Sequence, residues 1–504
     1  MKYSVVGFPR IGLNRELKFI VEKFLRREID ADALMQAVSD QKAYQWTVQQ
    51  KAEAAFIPSN DFSLYDGMLD TACMLNAIPR RYINLGLSEI DTYFAMARGY
   101  QGTQGDVKAY TMRKWFNTNY HYMCPELDDE MQIKLCSSQF LDDYLRAKEL
   151  KIQTKPVVIG PFTFLKLSKT VGSKKKAEYV SAVKKAYAEM LNVCSLNGVE
   201  WLQIDEPCLV MDLNKEDVVM FNDIYNEVLD KKADVKVLLQ TYFGDVRDCY
   251  KQLCDLAFDA IGLDFVEGKL TADLIKSLGF PKDKILFAGL INGKNIWTCD
   301  YKKVLGRLKE LELYCNNIVL STSCSLLHVP YTVKNERHLS SEVTRHFSFA
   351  YEKLDEMREI CRLNELPDYL NEKSYQENQT LFSEDSIAED EDVRKQVASL
   401  TELDFTRKVP RKERQQLQRK ILNLPLLPTT TIGSFPQTEQ IKKNRAKFRK
   451  GEIDEVEYQS NIRKYIGDCI ALQEEIGLDV LVHGEFERND MVEFFGENLS
   501  GYVF

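Results

Sequence analysis

From residue 1 to about residue 370, short β-rich apolar runs alternate with longer stretches whose apolar positions recur at helical spacing. That alternation is the pattern of parallel strands joined by helical crossovers. Residues 3–8, 156–160, 201–205, 235–242, 260–265, 285–290 and 318–321 read as strands, and residues 174–196 as an amphipathic crossover helix. Several strands run out into polar residues: Asp205 and Glu206, Asp264, and the run Ser321-Thr322-Ser323-Cys324. The C-terminal strand ends of a (β/α)8 barrel form its ligand-facing mouth, so polar residues belong there. No Gly-x-Gly-x-x-Gly follows the first strand and no Walker loop occurs, which removes the best evidence for a nucleotide-binding sheet. The fold class expected is α/β, a TIM-type barrel.

The pattern changes after residue 370. Residues 371–427 carry an acidic stretch at 384–392, opened by the capping-box spacing Ser386-x-x-Glu389, and a basic stretch at 407–420. They read as a helical linker with its charges in water. After Pro428 the chain starts again: Thr431-Ile432-Gly433-Ser434-Phe435-Pro436 echoes Val5-Val6-Gly7-Phe8-Pro9, and each is followed by a basic helix ending in Glu28-Ile29-Asp30 or Glu452-Ile453-Asp454. Residues 428–504 should therefore begin a second barrel, with strands at 430–435 and 479–483 and helices at 438–450 and 454–476. A complete barrel takes about 250 residues, so this second one is expected to be incomplete.

Composition narrows the class without naming a chemistry. Apolar residues at 44% and charged residues at 28% are globular proportions. A net charge of −9 with no basic stripe gives no reason to expect a nucleic-acid partner. No long apolar run suggests a signal peptide or a membrane span, so the expected location is cytoplasmic and the twelve scattered cysteines are expected to be reduced.

Four stretches carry a family resemblance. They are Gly7-Phe8-Pro9-Arg10-Ile11-Gly12 with Asn14-Arg15-Glu16-Leu17-Lys18; Lys114-Trp115-Phe116-Asn117-Thr118-Asn119-Tyr120-His121-Tyr122; Thr429 to Pro436; and Val482-His483-Gly484-Glu485-Phe486-Glu487-Arg488-Asn489-Asp490-Met491-Val492. Together they resemble the cobalamin-independent methionine synthase family, over residues 3–504. The resemblance implies methyl transfer from 5-methyltetrahydropteroyltriglutamate to homocysteine, with zinc and without cobalamin. A methyl group on a tertiary amine is a poor electrophile, so the sulfur must attack as thiolate, and the family binds that sulfur to zinc. It also implies folate binding by Arg15, Glu16, Leu17, Lys18 and Lys114, and homocysteine or methionine binding by Ile432, Gly433, Ser434 and Glu485.

Each assignment has a plainer structural alternative. Arg15 and Lys18 could meet the carboxylates of a polyglutamate tail, or could be solvated charges at a helix start. Gly433 and Ser434 lie between a strand and a helix, where backbone N–H groups grip carboxylates, and Glu485 could pair with an α-ammonium; a tight turn and a surface carboxylate would look the same. Cys324-x-x-x-His328 has metal-compatible spacing but reads as packing, and Asp205-Glu206-Pro207 as barrel architecture. The family's zinc ligands would fall beyond residue 504, so no residue here is assigned to metal. Three readings stay open: a truncated synthase inactive alone, a non-catalytic folate-polyglutamate binder, or half of a split enzyme completed by another polypeptide.

Overall fold

The computed structural model describes residues 1–383 and 390–503, and the chain divides into two compact units, Met1–Ser383 and Glu384–Phe504. The Ser386 to Glu389 capping box lies outside the described residues. The first unit is built on eight strands: β1 (Tyr3–Ser4), β2 (Ile57–Ser59), β3 (Thr154–Ile159), β4 (Trp201–Asp205), β5 (Lys236–Gln240), β6 (Ala260–Asp264), β7 (Ile285–Ile291) and β8 (Ile318–Thr322). Consecutive strands pair in parallel from β2 round to β8, and β8 pairs with β1 through Tyr3 and Leu320. A parallel bridge from Ser4 to Phe56, with Val5 N donating to Phe56 O at 3.2 Å, brings β1 back beside β2. The sheet thus closes as a (β/α)8 barrel.

Alternation along each strand sorts the side chains into two sets. Leu202, Ile204, Val237, Leu239, Ile261 and Leu263 pack outward with the crossover helices in the largest apolar cluster. Trp201, Leu238, Ala260, Phe287 and Val319 gather inside with Phe56. Toward the C-terminal strand ends the interior becomes polar, with Lys155, Gln203, Gln240 and Ser321 all buried. Every residue of β4 and β6 is buried, as a parallel sheet covered on both faces requires.

Three departures from the sequence expectation have physical reasons. β2 escaped notice because it is three residues long with Pro58 at its centre, too short for a period to show. β1 ends at Ser4 rather than at residue 8 because the backbone beyond is claimed by side chains: Val6 N donates to Thr322 Oγ1 (3.1 Å) and Phe8 N to Asp61 Oδ2 (2.7 Å). The crossover at 174–196 opens as a 3-10 turn, Lys176–Tyr179, before the α-helix Val180–Leu196.

In the second unit, helices Glu391–Ala398 and Arg411–Leu422 bury none of their residues. Helices Glu439–Arg449 and Glu455–Ile476 are capped by Thr438 and Asp454, and the second ends at Gly477 with φ 81°. They share a small core of Ile441, Tyr458, Ile462, Cys469 and Phe486. The segments expected as strands at 430–435 and 479–483 run side by side but share one bridge, Ser434 with Gly484. Side chains occupy the groups a ladder would use: Asp479 Oδ2 accepts from Thr429 N (2.7 Å), and the Gln473 amide, fully buried, exchanges two hydrogen bonds with the Val482 backbone.

Candidate functional site

Residues 15–18 form the first turn of helix Glu16–Leu25. Arg15 stands ahead of it with left-handed φ 66° and no capping bond from its side chain. Glu16 is drawn back over the loop, its Oε2 accepting from Asn14 N at 2.9 Å; a Cβ on Gly12 would lie 2.1 Å from that oxygen, so only glycine fits there. Leu17 points into the core at 5% exposure, so its side chain serves packing. Lys18 is exposed beside Glu22, 3.8 Å away. Exposed pairs of this kind contribute little, which leaves Arg15 and Lys18 available to an anion. Lys114 ends one strand of the hairpin Met112–Lys114 with His121–Met123, opposite His121, and is exposed.

The predicted amino-acid clamp is brought together within the second unit. Gly433 has φ 119°, and a Cβ there would lie 3.2 Å from Glu485 Oε1. Ser434 bridges Gly484, which precedes Glu485. Glu485 itself adopts φ 57°, with its amide facing His483 Nδ1 at 3.3 Å and its carboxylate paired to Arg488. Ile432 is 95% exposed, so its side chain takes no part in the local packing. Sequence reading missed Arg445, whose guanidinium holds the loop through Gln437 Oε1 (3.0 Å), Phe486 O (3.3 Å) and Arg488 O (3.1 Å). An Arg on a basic helix gives no sign in sequence that it folds back onto a loop some forty residues away.

The residues read as packing behave mainly as such. The His328 ring sits edge-on to Tyr120 and Phe243, and burial lowers its pKa to about 4. Glu206 is buried, accepting from Phe162 N (3.0 Å), Thr163 N (2.7 Å) and Tyr225 OH (2.5 Å), which anchors the start of helix Pro161–Leu167. Asp205 differs: it accepts from Gln203 Nε2 (2.7 Å) and Tyr242 OH (3.1 Å) and lines a cavity at the barrel mouth. Burial pushes its carboxyl up and the nearby Lys155 down.

Among the described residues no group of three or more His, Cys, Asp or Glu side chains could hold a metal ion. His483 Nδ1 and Glu487 Oε2 approach to 3.3 Å, a pair of donors and no more. No helix among the described residues is long and apolar enough to cross a membrane.

Two family models match the chain. One, described as the N-terminal domain of cobalamin-independent synthase, matches residues 2–316; the other, described as its catalytic domain, matches residues 427–504. A 5-methyltetrahydropteroyltriglutamate–homocysteine methyltransferase of Campylobacter jejuni strain RM1221 is 50% identical over 504 residues, covering 100% of this chain and 67% of that protein. One of Lactococcus lactis subsp. lactis is 49% identical over 506 residues, covering 100% and 66%. Among solved structures, a B12-independent methionine synthase from Shewanella sp. W3-18-1 in complex with selenomethionine aligns over 66% of this chain and 90% of that one, at 15% identity and a TM-score of 0.45.

Proposed function

The chain belongs to the cobalamin-independent methionine synthase family of methyltransferases, and from that premise we propose that it serves methyl transfer from 5-methyltetrahydropteroyltriglutamate to homocysteine, giving methionine. In this reading the first unit, which takes in residues 371–383 that the sequence assigned to the linker, carries the folate side, and residues 428–504 open the catalytic barrel. The observation that carries it is the approach of Glu485 to Gly433, which sets a carboxylate beside backbone N–H groups able to grip the other end of an amino acid. Arg488 pairs with the Glu485 carboxylate, and in this reading an incoming α-ammonium takes its place.

Within the 504 residues the chemistry is binding and orientation. The ligand set the resemblance implies for zinc is not among the described residues, so thiolate formation is assigned to none of them. All twelve cysteines are free thiols, which fits work in the reducing cytoplasm.

Calorimetry tests the clamp. Homocysteine or methionine binding to the 504-residue chain is expected to weaken about tenfold or more in Glu485→Gln, since a charge-assisted hydrogen bond is worth roughly 1.5–3 kcal/mol. Unchanged affinity removes the assignment. Measurable homocysteine methylation by the same purified chain would show that its residues suffice for catalysis, against the proposal.

The folate side makes a separate prediction. Lys18→Ala and Lys114→Ala should each weaken binding of methyltetrahydrofolate triglutamate by about threefold to tenfold at low salt, with the difference shrinking as ionic strength rises. Equal loss for the monoglutamate would mean that the lysines do not contact the tail.

A further inference from the structure

The internal repeat reaches beyond its first strand. Ala55 N donates to Tyr3 O at 3.1 Å, and Asp479 N donates to Thr429 O at 3.2 Å. Five residues on, Asn60 and Gly484 both take left-handed φ, 60° and 83°. Carboxylates follow, Asp61 and Glu485, then buried phenylalanines, Phe62 and Phe486. Each passage ends in an aspartate capping a helix with two amides: Asp66 with Met68 and Leu69, Asp490 with Val492 and Glu493. Both carboxylates also flank the glycine after the first strand, for a Cβ on Gly7 would lie 3.5 Å from Asp61 Oδ2, as one on Gly433 would lie 3.2 Å from Glu485 Oε1. Asp61 is the counterpart of Glu485.

Asp61 lines the cavity at the mouth of the first barrel, about 170 Å³ and far above what one water fills. Asp61 keeps one oxygen on Phe8 N (2.7 Å), and two of the other acids there are also bonded within the fold: Asp66 caps its helix and accepts from Met123 N, and Asp70 accepts from Tyr93 OH. Asp205 shares the cavity with Asp61, while Lys155 lies deeper, donating to Val5 O at 2.9 Å and to Gln203. Arg10 stands at the same wall with one nitrogen on Ser63 O. Met68, Trp115, Tyr122 and Phe140 supply apolar surface. His328 also lines this space, and its Nδ1 is buried with no hydrogen-bond partner.

We propose that this cavity is a second binding site, for a small zwitterion of the amino-acid class, with the ammonium on Asp61 and the carboxylate toward Arg10. The assignment of Asp61 rests on the reading of Glu485 as an ammonium partner. Desolvation pushes the Asp61 carboxyl up to about 6 against the opposing pull of the Phe8 amide and of Lys155; an ammonium beside it adds a further opposite charge.

The test is calorimetric titration of the 504-residue chain with L-methionine, in the wild type, Asp61→Asn and Glu485→Gln. Two sites are expected, Asp61→Asn weakening one at least about tenfold and Glu485→Gln the other. A single site that answers to Asp61 alone supports this proposal and removes the clamp. A single site that answers to Glu485 alone overturns the proposal and leaves the clamp standing, and no binding overturns both. Should circular dichroism show Asp61→Asn unfolded, Trp115 fluorescence in the wild type decides: a saturable change abolished by Trp115→Phe supports the site, and its absence overturns it.

Discussion

Lys42→Met lowers the stability of the first unit by about 3–5 kcal/mol, read as a fall in the denaturant midpoint at unchanged slope. Lys42 Nζ lies 2.8 Å from both carboxylate oxygens of Asp143, and the two residues are only 5% and 8% exposed. Removing the ammonium leaves a carboxylate buried without its partner, and that uncompensated charge is what costs so much. The double variant Lys42→Met with Asp143→Leu should recover most of the loss, because neither charge is then stranded. If single and double variants fall equally, packing rather than charge accounts for the effect. The pair ties helix Ala31–Lys51 to helix Gln139–Glu149, so its loss loosens the wall beside β2 and β3.

Glu206→Ala should be comparably harmful, at least about 3 kcal/mol, because it strands three buried donors at roughly 1–3 kcal/mol each. They are the amides of Phe162 and Thr163 and the Tyr225 hydroxyl. Thermal unfolding measures the loss. Triglutamate binding at low temperature measures what should not change. A variant of normal stability with folate binding abolished would turn Glu206 from an architectural residue into a binding one.

How much was legible in advance followed from the range of the interactions. The barrel showed in sequence because β4, β5, β6 and β8 are each a local run whose buried pattern repeats within a few residues. β2 did not, since three residues hold no period. The left-handed turns at Gly433 and Gly484 could be suspected from the glycines, whereas Asn60 in the same conformation could not. The mouth cavity was hidden because its polar groups come from far apart: Arg10 follows β1, Asp61 follows β2, Asp205 ends β4 and His328 follows β8. The pairing of Lys42 with Asp143 spans 101 residues and leaves no trace in spacing. Resemblance pointed to Glu485 but not to Arg445, which fixes the loop through main-chain oxygens that any sequence supplies.

The Gln473 amide, held against the Val482 main chain by bonds of 2.7 and 2.9 Å, has one more consequence. Exposed strand borders invite foreign chains to add themselves and grow into aggregates. At Val482 both backbone groups are already taken by a side chain from the neighbouring helix, so an intruder must first dislodge it.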